Sequence, residues 1–149
     1  MVIALFGDSC VGKSTLADEL ARKLSGEIYS GKDYLRLAKS ESMAAALFKK
    51  KLKDAVAGEN HVLYVIAQPE HLALLPEGCL RVLVVASLPT ILERFARRTG
   101  GRLPEPVEAM LRRTYGRFEK EAYDLRLDLE TMSPEEACQS IEKRMEKNR

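Results

Sequence analysis

The sequence predicts an α/β fold: a parallel sheet with helices packed on both of its faces. Two observations carry this. Val2–Phe6, residues 61–67 (HVLYVIA) and residues 81–86 (RVLVVA) are nearly continuous apolar runs of strand length, the pattern of strands buried on both sides. Helical patterns separate the runs, and strand–helix–strand alternation calls for right-handed crossovers and a parallel sheet. In such folds sites form at the carboxyl ends of the strands. The loops after Phe6, Ser30, Ala67 and Ala86 are therefore the ones of interest.

The elements follow in order. Val2–Phe6 is the first strand, ended by Gly7. Residues 14–24 are helical: Leu16, Leu20 and Leu24 recur every four residues, with Asp18, Glu19, Arg22 and Lys23 on the opposite side. Gly26 is the expected helix stop. Glu27–Ser30 is a short strand. Residues 31–60 read as two helices broken near Ser40, the second striped by Ala44, Leu47, Phe48, Leu52, Ala55 and Val56. Residues 61–67 are the third strand, 69–75 a short helix, and 81–86 the fourth strand. Residues 89–98 are helical, with Pro89 in the first turn where its missing N–H does no harm, and Gly100 and Gly101 break that helix. After a turn at 103–106, residues 107–122 read as a charged helix. Residues 123–128 alternate and read as a last strand or as a continuation of that helix. Ser133-Pro134-Glu135-Glu136 is a helix start with a capping box, and Ala137, Ile141 and Met145 form the buried face behind it. The last residues, KNR, are expected to fray.

With 149 residues and no repeat or linker, the chain is expected to form one domain spanning 1–149. A net charge of +2 does not argue for nucleic acid. Three widely spaced cysteines suit free thiols in a reducing compartment better than disulfides or zinc. No apolar run is long enough to span a membrane, and the stretch before Gly7 is too short for a signal peptide. The expectation is a cytoplasmic protein without membrane or nucleic-acid partners, monomeric or homodimeric.

The chemistry is concentrated after the first strand. Gly7-Asp8-Ser9-Cys10-Val11-Gly12-Lys13-Ser14 fits G-x-x-x-x-G-K-[ST], a phosphate-binding loop, and Thr15 continues it into the helix. The glycines let consecutive N–H groups turn inward around a phosphate, and the following helix aims its positive end at the same place. Lys13 would reach the β- and γ-phosphates, and Ser14 offers a hydroxyl to Mg²⁺. The buried strand before the loop and the amphipathic helix after it supply the context the pattern needs. Cys10 is either a redox-sensitive thiol or a small residue the loop tolerates.

The class of phosphate-loop protein narrows by elimination. GTPases need Asn-Lys-x-Asp and Asp-x-x-Gly, and neither occurs. Motor ATPases need a longer chain. Small-molecule kinases need arginines closing over the transferred phosphoryl group. Arg94, Arg97 and Arg98 share one helix face, and Arg112, Arg113 and Arg117 lie on the next predicted helix, with Gly100 and Gly101 as hinges between them. The competing reading is a solvated basic surface.

On these residues the chain resembles the nucleoside-monophosphate-kinase-type phosphotransferases, close to adenylate and cytidylate kinases and to shikimate kinase. The phosphate loop, 81-RVLVVASLPTILERFARR-98 and 112-RRTYGRFEKEAYDLRLDLETMSPEEACQSI-141 carry the resemblance over nearly the whole length. It implies a three-layer P-loop NTPase fold with a five-stranded parallel sheet of order 2-3-1-4-5, an acceptor-binding segment at about 31–60 and a short arginine lid at about 94–117. It implies ATP and Mg²⁺ as cofactors and a small-molecule phosphoryl acceptor, with nucleotides and nucleosides leading. Arg94 is similar in position to the arginine that packs on the base, and Arg97 or Arg98 to the phosphate-contacting lid arginine. Arg112, Arg113 or Arg117 would contact phosphate from the second arm, Arg113 being the expected one. Residues 129–132 (LETM) would border the base pocket.

Ser30-Gly31-Lys32-Asp33-Tyr34-Leu35-Arg36 resembles the start of the acceptor segment. Asp33 is placed to hold Mg²⁺ through water or to act as a base, against a plain helix-capping role. Arg36 is placed to bind an acidic group of the acceptor, against simple solvation. The departure lies after the third strand, where the family often carries an acidic or Asp-Gly motif and this chain has Gln68-Pro69-Glu70. That leaves the metal to Ser14 and Asp33, or points to a nucleotide-binding regulatory module with little turnover. The 49-KKKLK-53 run is either an anion-attracting patch or a solvated helix face. A nucleic-acid-associated NTPase using the basic helices is the remaining alternative, and the low net charge weighs against it.

Overall fold

A computed structural model describes residues 1–148. Five strands, β1 (Val2–Phe6), β2 (Glu27–Ser30), β3 (Val62–Ile66), β4 (Leu80–Val85) and β5 (Leu125–Asp128), form one parallel sheet in the order β2-β3-β1-β4-β5. The helices are α1 (Lys13–Leu24), α2 (Glu41–Ala57), α3 (Leu88–Arg98), α4 (Glu105–Thr114) and α5 (Pro134–Lys147). Short 3₁₀ helices cover Asp33–Leu37 and Pro69–Leu74. The three-layer architecture and strand order are those expected.

Alternation along each strand feeds two cores. Ile3 and Leu5 pack with Leu16 and Leu20 of α1 and Ile141 of α5. Val2, Ala4 and Phe6 pack on the other face with Phe48 and Leu52 of α2. Both residue sets are fully buried, which fixes β1 at the centre and its register against its neighbours. The capping box at Ser133 is present, with Ser133 accepting from Glu136 N–H and Glu136 from Ser133 N–H. Among the described residues no helix is long and apolar enough to cross a membrane.

Four local expectations are corrected. Helix α1 ends with Ser25, not Gly26, in the left-handed conformation. The first helix expected after β2 is only a 3₁₀ turn, and Ser40 caps α2 through its side chain. Leu47 lies off the buried face of α2 and is exposed. The charged helix expected over 107–122 stops at Thr114, because Gly116 turns the chain with φ 77°. Asn148 follows the end of α5, and Arg149 of the expected frayed end lies outside the described residues.

Candidate functional site

The loop between β1 and α1 leads into a helix start that could receive an anion. Gly12 starts α1 with φ 101° and no side-chain cap, and no acidic residue occupies the first turn. The first N–H groups of the helix therefore face outward without a side-chain partner. The loop is tightly held from outside: a Cβ at Gly12 would stand 2.7 Å from Leu129 Cδ1. A side chain at that position would make the end of the Leu129 side chain shift.

Lys13 is buried and donates to the carbonyls of Gly7 at 2.6 Å and Asp8 at 2.5 Å. Burial lowers its pKa to about 8, against the attraction of Asp8, and the cations Arg117 and Arg98 lower it further. A buried ammonium with two cations in its field would favour an anion bound beside it.

The first-arm arginines divide. Arg94 donates to Cys10 O at 2.9 Å, which ties α3 to the loop. Arg98 lines a cavity of about 270 Å³ together with Lys13 and Ser14. Arg97 points away and pairs with Glu93 at 2.6 Å in solvent. A second cavity, of about 350 Å³, lies between Cys10, Gly12, Thr15, Arg94, Leu129 and Pro134, on the side where the base was expected. At its rim Glu130 accepts from the Thr90 hydroxyl and, at 2.8 Å, from Ser87 N–H. The Thr90 hydroxyl first, and Ser87 N–H second, hold the Glu130 carboxyl below its ordinary pKa.

The second arm is stapled to the sheet by three consecutive residues. Tyr115 Oη donates to Ala86 O at 3.2 Å, Gly116 N–H to Asp8 Oδ2 at 2.9 Å, and Arg117 Nη2 to Ala67 O at 2.6 Å. These contacts close on the loops after β4, β1 and β3. Phe118 follows into the core against Phe6. Arg117 and Gln68 share a cavity of about 250 Å³ with Asp8 and Ser9. Arg113 is exposed and lines none of these cavities, and Arg112 pairs with Glu108 at 3.1 Å. The structure thus brings Arg117, not Arg113, to the loop. The early end of α4 is the reason.

On the side where the acceptor was expected, the cavity of Lys13 is also lined by Ser30, Gly31, Gln68 and His71. Asp33 is exposed, and its Oδ2 accepts from Ser30 N–H at 2.9 Å, so the turn holds the carboxylate outside the cavity lining. Arg36 lies over the Tyr29 ring at 4.5 Å, away from that lining as well. Lys51 of the basic run pairs with Glu27 at 3.0 Å. Val11 is buried beneath the loop. The sequence singled out neither His71 nor the Asp8–Gly116 contact. The position of residue 71 just after β3, in one of the loops expected to carry the site, is the signal that pointed there.

For Mg²⁺ the donor set fits a substrate-borne ion. Ser14 stands exposed at the cavity, and this ion commonly keeps waters and phosphate oxygens as most of its ligands. No group of three acidic, cysteine or histidine ligands occurs among the described residues.

No protein-family model and no curated protein sequence matches the chain. Solved structures do. An uncharacterised protein from Eubacterium ventriosum is 17% identical over 98% of both chains, with TM-score 0.70. Shikimate kinase from Acinetobacter baumannii, in complex with shikimate, is 18% identical over 99% of this chain and 94% of that one, with TM-score 0.67. Shikimate kinase from Aquifex aeolicus is 23% identical over 99% and 98%, with TM-score 0.56. The chain therefore shares with these structures its three-layer α/β fold around a five-stranded parallel sheet, of the type seen in shikimate kinase.

Proposed function

We propose that the protein is a phosphotransferase that uses ATP and Mg²⁺ to phosphorylate a hydroxyl of a small molecule, with nucleotides and nucleosides as the leading acceptors. The observation that carries this reading is the buried Lys13 at an uncapped helix start, sharing one cavity with Arg98 and with the loops after β2 and β3. Donor and acceptor ends thus meet at one cation-lined point.

In this reading the α1 N–H groups and Lys13 hold the donor phosphates, and Arg94 steadies the loop beside the base. Arg98 and Arg117 face the transferring group from two sides, where developing charge needs fixed donors. Asp33 orients the acceptor hydroxyl or a metal-bound water once its turn opens, and Arg36 serves an acidic acceptor after leaving Tyr29. Ser14 and Asp33 would hold Mg²⁺, which supplies charge neutralisation between the phosphates.

The test is an ADP-release screen over nucleosides, nucleotides and small hydroxyl metabolites. Turnover is expected with at least one acceptor, and Lys13→Ala should reduce it at least 100-fold, a loss on the scale of removing one fixed transition-state donor. Turnover unaffected by Lys13→Ala sinks the assignment. The outward position of Asp33 favours a second reading, a nucleotide-binding regulatory module. ATP binding with no ADP release across the panel would select it.

A further inference from the structure

His71 and Lys13 are the buried polar residues among those described, and both line the same cavity. Lys13 is accounted for by the phosphate site. His71 is not. It is 7% exposed, and its surroundings are aromatic: the Tyr34 ring meets it edge-on at 6.4 Å and the Tyr64 ring lies tilted at 6.4 Å. Phe48 stands behind both tyrosines.

A phenylalanine would satisfy that packing. An imidazole there carries a cost, because its buried Nδ1 has no hydrogen-bond partner and an unsatisfied buried polar atom destabilises the fold. The neighbouring tyrosine does not relieve it, since Tyr64 Oη is committed to Gly31 O at 2.7 Å. That bond pins the loop after β2 to the same wall. The cavity lining therefore includes an imidazole whose Nδ1, just beneath the surface, has no partner. Gln68 and Ser30 stand beside it.

These three groups share one property. A neutral imidazole, a carboxamide and a hydroxyl each both donate and accept hydrogen bonds. A ligand that matches all three also carries groups of both kinds close together, as vicinal hydroxyls do.

We propose that His71 is an acceptor-contacting residue, and that with Gln68 and Ser30 it recognises the hydroxyl groups of a small polyhydroxylated acceptor. This rests on the kinase reading for the identity of the site, not for the presence of a ligand at His71. The imidazole orients the acceptor so that one hydroxyl faces the donor phosphate. A turn of the imidazole ring on binding brings Nδ1 to the cavity, where the ligand supplies the partner that His71 lacks.

The chain has two histidines, and His61 precedes β3 at the opposite end of the sheet, so it serves as an internal control. The experiment records the imidazole C–H signals of the full chain by NMR with Mg²⁺ and a non-hydrolysable ATP analogue. Cytidine, adenosine, glucose, gluconate and shikimate are added in turn, and ADP release is measured in parallel with ATP. At least one compound should move the His71 signals and leave those of His61 in place. For a compound that is turned over, His71→Phe should raise the acceptor KM at least tenfold with ATP affinity held, and His71→Gln should recover part of the loss.

Signals of His71 unmoved by every compound overturn the proposal, even if ADP is released and the kinase reading stands. A His71 response without ADP release from any compound keeps the proposal and removes the kinase reading. A His71→Phe variant with wild-type acceptor KM assigns the residue to packing alone and overturns the proposal.

Discussion

Lys13 holds a charge where water does not reach, and the protonation equilibrium shows what that costs. Its pKa falls from 10.5 to about 8 on folding, burial being the main cause. The unfolded chain therefore binds this proton more tightly than the folded one. Stability lost to the buried charge is fully lost below about pH 8 and is regained as pH rises toward 10.5. Lys13→Met keeps the stem and removes the charge. Its stability relative to wild type should be greatest at pH 7 and shrink by about 2 kcal/mol by pH 10, as read from urea unfolding at the two pH values. In the proposed function the same proton would govern donor binding. Phosphates favour the charged ammonium, so ATP affinity should be level below about pH 8 and fall as pH rises through it. A fluorescent-nucleotide titration from pH 6.5 to 9.5 checks this, and an affinity that rises across that range contradicts the role given to Lys13.

The second arm shows how an element boundary decides which side chain meets the site. Read as one helix to residue 122, the segment puts Arg113 and Arg117 on a common face. With α4 ending at Thr114 and the chain turning at Gly116, only Arg117 reaches Ala67 O and the electrostatic neighbourhood of Lys13. Arg117→Ala should lower kcat by about 10²-fold, the scale of one lost transition-state donor, with ATP affinity within a few-fold of wild type. Arg113→Ala should cost less than tenfold, and steady-state kinetics on both variants settle the order. The strands, the phosphate loop and the Ser133 cap were legible in sequence because each is a local signal: an apolar run, glycine spacing, a hydroxyl followed by glutamate. The docking of residues 115–117 was not. It depends on three carbonyl and carboxylate acceptors at Ala86, Asp8 and Ala67, each distant in sequence, and no local periodicity encodes them. Asp33 failed to reach the cavity for the opposite reason, since a local bond to Ser30 N–H captures its carboxylate.

At the scale of the molecule, the segment from α3 to α4 is fixed at both roots, and Phe95, Leu103, Val107 and Leu111 pack it on the core between them, which leaves the turn at Gly100 and Gly101 open. Ile91 is buried and Arg94 holds the phosphate loop at one root; the Tyr115–Gly116–Arg117 staple holds the other. Between them Gly100 and Gly101 have φ of 84° and 93°, and a Cβ at either meets nothing within 4 Å. Added methyl groups would therefore act through backbone strain and stiffness, not through collision. In the proposed function an arm would close over a bound donor by changing these angles, and a residue that restricts φ there would oppose it. A Gly100→Ala, Gly101→Ala double variant should lose about 1–2 kcal/mol per residue locally, from the left-handed strain. That strain burdens the folded state alone, so the midpoint of global unfolding should fall with it. ATP affinity should hold, since Lys13 and the α1 start sit on the rigid side. Turnover should fall about tenfold, the cost of a slowed or incomplete closure of the arm that carries Arg98. Stopped-flow and steady-state measurements on the double variant separate these effects, and wild-type kcat in it would place the moving element elsewhere in the chain.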